Sequence, residues 1–152
     1  MVLWKLARNQ AGQSLVEILI AMAVITVVLV TLVAAVVMAI RGVRFSKEKI
    51  RANFLAAEGL EWVRNQRGSL GWVDFALYAT AAGARYCLKD LTLGQIGACG
   101  DNDLVSIIFT RELVLSTVGT SGVKAIVTVS WNDGVQAFNS EIQTTFRQWE
   151  VE

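Results

Sequence analysis

The sequence predicts an α+β chain: a long amino-terminal helix, membrane-spanning in its first half and amphipathic in its second, packed on a small antiparallel β-sheet head. Three observations predict it. Ile18 to Ile40 runs 23 residues with only Thr26 and Thr31 polar and no charge. From Arg41 to Arg67 apolar residues continue at helical spacing, with no helix breakers apart from Gly42 and Gly59. From Gly68 onward, turn signals alternate with short runs rich in β-branched residues.

The helix is justified first by length. At 1.5 Å per residue the apolar run is roughly 34 Å long, enough for a hydrocarbon core of about 30 Å. Its Val, Ile and Thr content favours strands in water, but a lone strand in lipid leaves its backbone polar groups unpaired, so a helix is expected there. Beyond the membrane, Val43, Ile50, Phe54, Ala57 and Leu60 form one apolar stripe. Arg44, Lys47, Arg51, Glu58 and Arg64 lie on the other side, and the stripe asks for a partner surface.

In the head, Leu104 to Thr110 and Leu113 to Val118 read as strands. Val123 to Trp131 alternates most clearly, with Val123, Ala125, Val127, Val129 and Trp131 on one face and Lys124, Thr128 and Ser130 on the other. Asn132-Asp133-Gly134 then turns the chain into a second long strand from Val135 to Trp149, a hairpin of the Asp-Gly type.

Composition removes several function classes. The 152 residues are 54% hydrophobic, with mean hydropathy +0.48 and 14 basic against 13 acidic side chains, which excludes a disordered chain. A formal charge of +1 supplies no basic footprint for nucleic acid. The absence of histidine removes the usual general base, Ser-His and Cys-His nucleophile pairs and histidine-ligated metals. Serines, carboxylates and lysines show no spacing suited to nucleophilic or paired-carboxylate chemistry, and no enzyme activity is expected.

The residues before the apolar run change its meaning. Gly12-Gln13-Ser14-Leu15-Val16-Glu17 leads into it, whereas Arg41-Gly42-Val43-Arg44 follows it in place of the small-residue cleavage pattern of a secretory signal. Glu17 stands immediately before 23 apolar residues, where a carboxylate costs several kcal/mol to bury without a partner, so it asks for a cation at the same depth.

This segment, GQSLVEILIAMAVITVVLVTLVAAVV, resembles the amino terminus of the type IV pilin-like family, and AAEGLEWVRNQR from Ala56 to Arg67 looks like the exposed helix of such chains. The resemblance implies that a prepilin peptidase cuts between Gly12 and Gln13 and methylates the new terminus. Residues 1–12 would be a leader, 13–67 the long helix with its transmembrane part at about 18–40, and 68–152 the head. It implies that Glu17 pairs with the free amino terminus of a neighbouring subunit. The implied partners are other pilin-like subunits through the helix, the peptidase, the inner-membrane assembly machinery and, before assembly, the lipid bilayer. No cofactor is implied. The chain would be a single-pass cytoplasmic membrane protein with its head outside, and afterwards part of a cell-surface filament.

Three features depart from the usual pattern. Gln13 stands where phenylalanine is commonest, and an amino-terminal glutamine can cyclise and lose its charge unless methylated first. No proline kinks the helix. Lys5 and Arg8 precede the apolar run, while Arg41, Arg44, Lys47, Lys49 and Arg51 against Glu48 follow it, so a positive-inside count gives the opposite orientation to the resemblance.

Cys87 and Cys99 both fall in the expected exported part, where an oxidising environment favours a bridge around a glycine-containing irregular loop. Two cysteines without histidine cannot complete a zinc site. Asp101-Asn102-Asp103 with Glu112 has part of the spacing of a calcium loop, but Ser106 replaces the required glycine and Val105 an oxygen ligand, which leaves a turn as the ordinary reading. Trp72, Phe75 and Tyr78 are the best candidates for an exposed recognition edge, while Trp62 and Trp131 read as packing residues. Two functions remain: a filament subunit, as a minor pilin or pseudopilin, or an exported binding or sensor domain whose helix is only an anchor. Glu17 separates them, because an anchor gains nothing from a carboxylate there.

Overall fold

The computed structural model describes residues 11–134 and 136–148, with side chains described from Ser14. The chain forms two compact units, the first ending at Phe45 and the second beginning at Ser46. Helix α1 (Ala11–Leu70) supplies the described part of the first unit and opens the second.

In the first unit every side chain from Ser14 to Phe45 is exposed. This helix is long and apolar enough to cross a membrane. Its two hydroxyls fold back onto their own backbone: Thr26 Oγ1 donates to the Ala23 carbonyl and Thr31 Oγ1 to the Val28 carbonyl, both at 2.8 Å. Neither therefore presents an unsatisfied polar group to lipid.

The second unit adds a short helix, α2 (Trp72–Ala76), and five strands: β1 (Ala84–Cys87), β2 (Leu104–Ser106), β3 (Phe109–Val118), β4 (Gly122–Asn132) and β5 (Ala137–Arg147). Gly71, at φ 78°, ends α1 in a left-handed conformation that glycine adopts without a Cβ penalty, and its carbonyl accepts from the Phe75 N–H to start α2. The sheet is antiparallel in the order β1-β3-β4-β5, with β2 also on β3.

The face of β4 predicted to be buried is buried, from Val123 to Trp131 in alternation. It is joined by Phe109, Leu113 and Leu115 of β3 and Phe146 of β5 in one core with Ala52, Ala56 and Val63 of α1. The helical face against this sheet differs from the expected stripe. Val43, Ile50 and Phe54 are each 69% exposed, Ala57 is exposed, and only Leu60 of that set touches the core. The buried line is Ala52, Ala56, Gly59 and Val63. Small side chains let helix and sheet approach closely: a Cβ on Gly59 would lie 3.0 Å from Arg111 Cδ and 3.1 Å from Val127 Cγ1.

The sheet's turns also depart from expectation in places. The run from Leu104 to Thr110 is broken at Ile107-Ile108, which form the β2–β3 turn although neither is a turn-forming residue. β3 then continues through Arg111-Glu112, where a strand boundary was expected. After Asn132, which pairs with Ala137, the loop holds Gly134 at φ 92°, and Asp133 Oδ1 accepts from the Gln136 N–H at 2.9 Å. Val135 and Trp149, the expected ends of the last strand, lie outside the described residues. β1, which was not expected, pairs with β3 from Ala84↔Leu115 to Cys87↔Glu112. Cys87 and Cys99 are joined by a disulfide, and the chain between them is largely irregular.

Candidate functional site

The segment expected to be processed lies at the start of α1. The Gly12–Gln13 bond is one residue inside the helix, and the side chains of these two residues lie outside the described set. Glu17, four residues after Gln13, falls one turn along the same helical face. Its side chain is exposed and belongs to none of the ion pairs among the described residues. The next charged residue in sequence is Arg41. The arrangement is a single carboxylate at one end of an apolar cylinder.

The stretch from Ala56 to Arg67 does more than present an exposed face. Ala56, Gly59 and Val63 point into the core, and two charged residues, Glu58 and Arg67, fix the helix to the head. Glu58 Oε2 accepts from Arg111 Nη1 at 2.6 Å. Arg64 pairs with Glu61 along the helix, also at 2.6 Å. Arg67 Nη2 donates to the Arg147 carbonyl at 2.7 Å, with its guanidinium over the rings of Trp72 and Phe146. Of the remaining basic residues, Arg51 donates to Ser106 Oγ at 2.9 Å and lies over Phe109. Ser140, buried on β5, donates its hydroxyl proton to Asn53 Oδ1.

Arg111 is the residue that sequence reading missed. It is 1% exposed on the inner face of β3. Its Nε donates to the Leu88 carbonyl at 3.2 Å and its Nη1 to the Leu55 carbonyl at 3.1 Å, besides the bond to Glu58. Helix, sheet and cystine loop thus meet on one guanidinium, whose fork of donors suits several acceptors at once. The signal was its parity: Phe109, Arg111, Leu113 and Leu115 alternate inward, so a charge at that position has to be paired.

The aromatic residues after α1 do not form the exposed edge for which they were the candidates, and the turn expected at Asp101-Asn102-Asp103 is present. Phe75 is fully buried and packs edge-on against Phe146, while Trp72 and Tyr78 are half-buried against the core. The exposed large apolar side chains there are Val73 and Leu77. Tyr86 donates its hydroxyl proton to the Tyr78 carbonyl at 2.8 Å, and burial, with a smaller push from Tyr78, raises its pKa.

Asp103 and Glu112, near Cys99, face different donors rather than one another. Asp103 Oδ2 accepts from the Gly100 N–H at 2.9 Å and from Gln95 Nε2 at 2.8 Å, and these bonds, the backbone one foremost, hold its carboxyl below the usual range. Glu112 Oε1 accepts from the Cys99 N–H at 2.9 Å and its Oε2 lies 3.3 Å from Arg85 Nη1. Among the described residues no group of three or more His, Cys, Asp or Glu side chains could hold a metal ion.

Against known families, residues 7–33 match the model for the prokaryotic N-terminal methylation motif, the prepilin-type signature of type IV pilins. The match takes in Gly12, Gln13, Glu17 and the apolar run as far as Val33, and none of the head. No curated protein and no solved structure matches the chain. The chain is similar to type IV pilins in the segment that carries the motif.

Proposed function

We propose that this protein is a structural subunit of a type IV pilus or a related pilin-like filament, cut between Gly12 and Gln13 and assembled from the membrane through α1. The observation that carries the reading is the coincidence of the methylation motif with a helical run free of charge from Ile18 to Ile40 and preceded by one carboxylate, Glu17, a turn beyond the expected new terminus. The leader faces the cytoplasm and the head is exported, in keeping with a cystine at Cys87 and Cys99. The protein acts by assembly and not by catalysis.

Mass spectrometry of the protein from cells with an active prepilin peptidase tests this. The expected chain begins at Gln13 and carries an added methyl group, and substitution of Gly12 leaves the longer form in the membrane. Loss of ammonia in place of methylation marks cyclisation of Gln13. Recovery only of chains that retain residues 1–12 overturns the proposal in favour of a plain anchor.

A further inference from the structure

The two edges of the sheet are treated differently. On the β1 side the edge strands are short, four residues in β1 and three in β2, and the adjoining loops cover them. The Cys87 N–H donates to the Gln95 carbonyl, the Gly97 N–H donates to the Arg85 carbonyl at 2.8 Å, and Thr80 bridges to Ser116. On the other side β5 runs 11 residues in unbroken register with β4, without bulge, proline or lysine, and no described strand pairs with its outer edge. Long, regular edges of this kind are templates for another strand, and among the usual protections β5 has only two charged side chains, Glu141 and Arg147, and the Arg67 guanidinium on its last carbonyl.

The direction of the free groups follows from one bond. The Gln148 N–H donates to the Ser121 carbonyl, continuing the β4–β5 ladder, so even-numbered residues of β5 exchange hydrogen bonds with β4. The odd-numbered Asn139, Glu141, Gln143 and Thr145 therefore turn N–H and C=O outward. Arg147 agrees, since its carbonyl is taken from outside the β4 ladder by Arg67. Glu141 and Arg147 are exposed, and neither side chain belongs to an ion pair among the described residues.

We propose that the outer edge of β5 is a self-recognition surface, which pairs antiparallel with β5 of a second copy of this chain with Glu141 opposite Arg147. This register brings Glu141 against Arg147 twice, once on each side of a two-fold centred at Thr144. Gln143 then faces Thr145, and Ile142 faces Phe146 on the inner side. Moving the register by two residues in one direction puts Glu141 opposite Thr145 and loses both ion pairs. A shift of one residue sets inner against outer faces. Parallel in-register pairing sets Glu141 against Glu141, which like charge opposes. The surface rests on the sheet alone and stands or falls separately from the filament assignment.

Disulfide trapping in the full chain, in membranes, tests the register. Thr144 lies opposite itself in a narrow, non-hydrogen-bonded pair, so Thr144→Cys should give a crosslinked dimer well above a Thr120→Cys control in the β3–β4 turn. Adding Glu141→Arg, or Arg147→Glu, should lower the crosslink roughly tenfold, because two attractive pairs become repulsive. The double reversal Glu141→Arg with Arg147→Glu should restore it, an outcome that general damage to the fold does not produce. A crosslink no greater than the control, one indifferent to the charges, one lost without rescue, or one formed to a chain of different mass would each overturn the proposal.

Discussion

Arg111 is the most heavily committed residue in the head, and its surroundings determine what its neighbours may be. Arg111→Ala removes the donor from two backbone carbonyls and from Glu58 and leaves a void beneath α1, a loss of about 3 kcal/mol. Arg111→Met keeps most of the stem and should lose less. Gly59→Ala shows the same constraint from the helix side. In an open helix that change would gain up to about 1 kcal/mol, but here the new Cβ meets an Arg111 stem pinned by its hydrogen bonds and a fully buried Val127. A net destabilisation is expected. Denaturant unfolding of the detergent-solubilised chain, followed by tryptophan fluorescence, measures both, and an Arg111→Ala protein within about 0.5 kcal/mol of the parent would show that the clamp carries little stability.

Among the elements, the cystine loop has the least secondary structure and depends most on one bond. Closing a separation of 12 residues contributes somewhat less than about 3 kcal/mol by the loop-entropy model. Protein recovered from cells should show no free thiol under denaturing conditions, and reduction should lower its unfolding midpoint. Two free thiols would show that the bridge does not form in the cell. The loop and its bridge were legible in the sequence because glycines, and a cysteine pair in the part expected to be exported, are strong signals. β4 was legible because five apolar residues alternate without a break. The sheet-facing side of α1 was not, because Ala52, Ala56 and Gly59 have little hydrophobic weight, while Val43, Ile50 and Phe54 have much and are left exposed. Close packing selected for size where periodicity records only hydrophobicity. Ile107-Ile108 concealed a turn and Arg111 concealed the interior of a strand, each because tertiary contacts overrode the local preference of the residue.

At the scale of the whole molecule the question is why a chain would keep a carboxylate at the edge of its apolar helix, and Glu17 gives a test. Gln13 and Glu17 lie four residues apart, so the carboxylate can approach the amino group that the proposed cut would leave on its own chain. That contact forms equally in the lone membrane protein and cannot favour assembly. Only the amino group of a neighbouring subunit adds something new, which is the pairing that the family resemblance implies. At about 4 Å and an effective dielectric near 20, two unit charges attract by about 4 kcal/mol, an upper figure before desolvation is subtracted. A third of that biases packing about tenfold. Glu17→Ala should therefore be cut between Gly12 and Gln13 like the parent and stay in the membrane, yet enter filaments poorly. An anchor helix would be indifferent to the change or insert better, since a buried carboxylate has been removed. Immunoblotting of sheared filaments and membrane fractions separates the two, and Glu17→Ala protein present in filaments at the parent's level would remove this role from the residue.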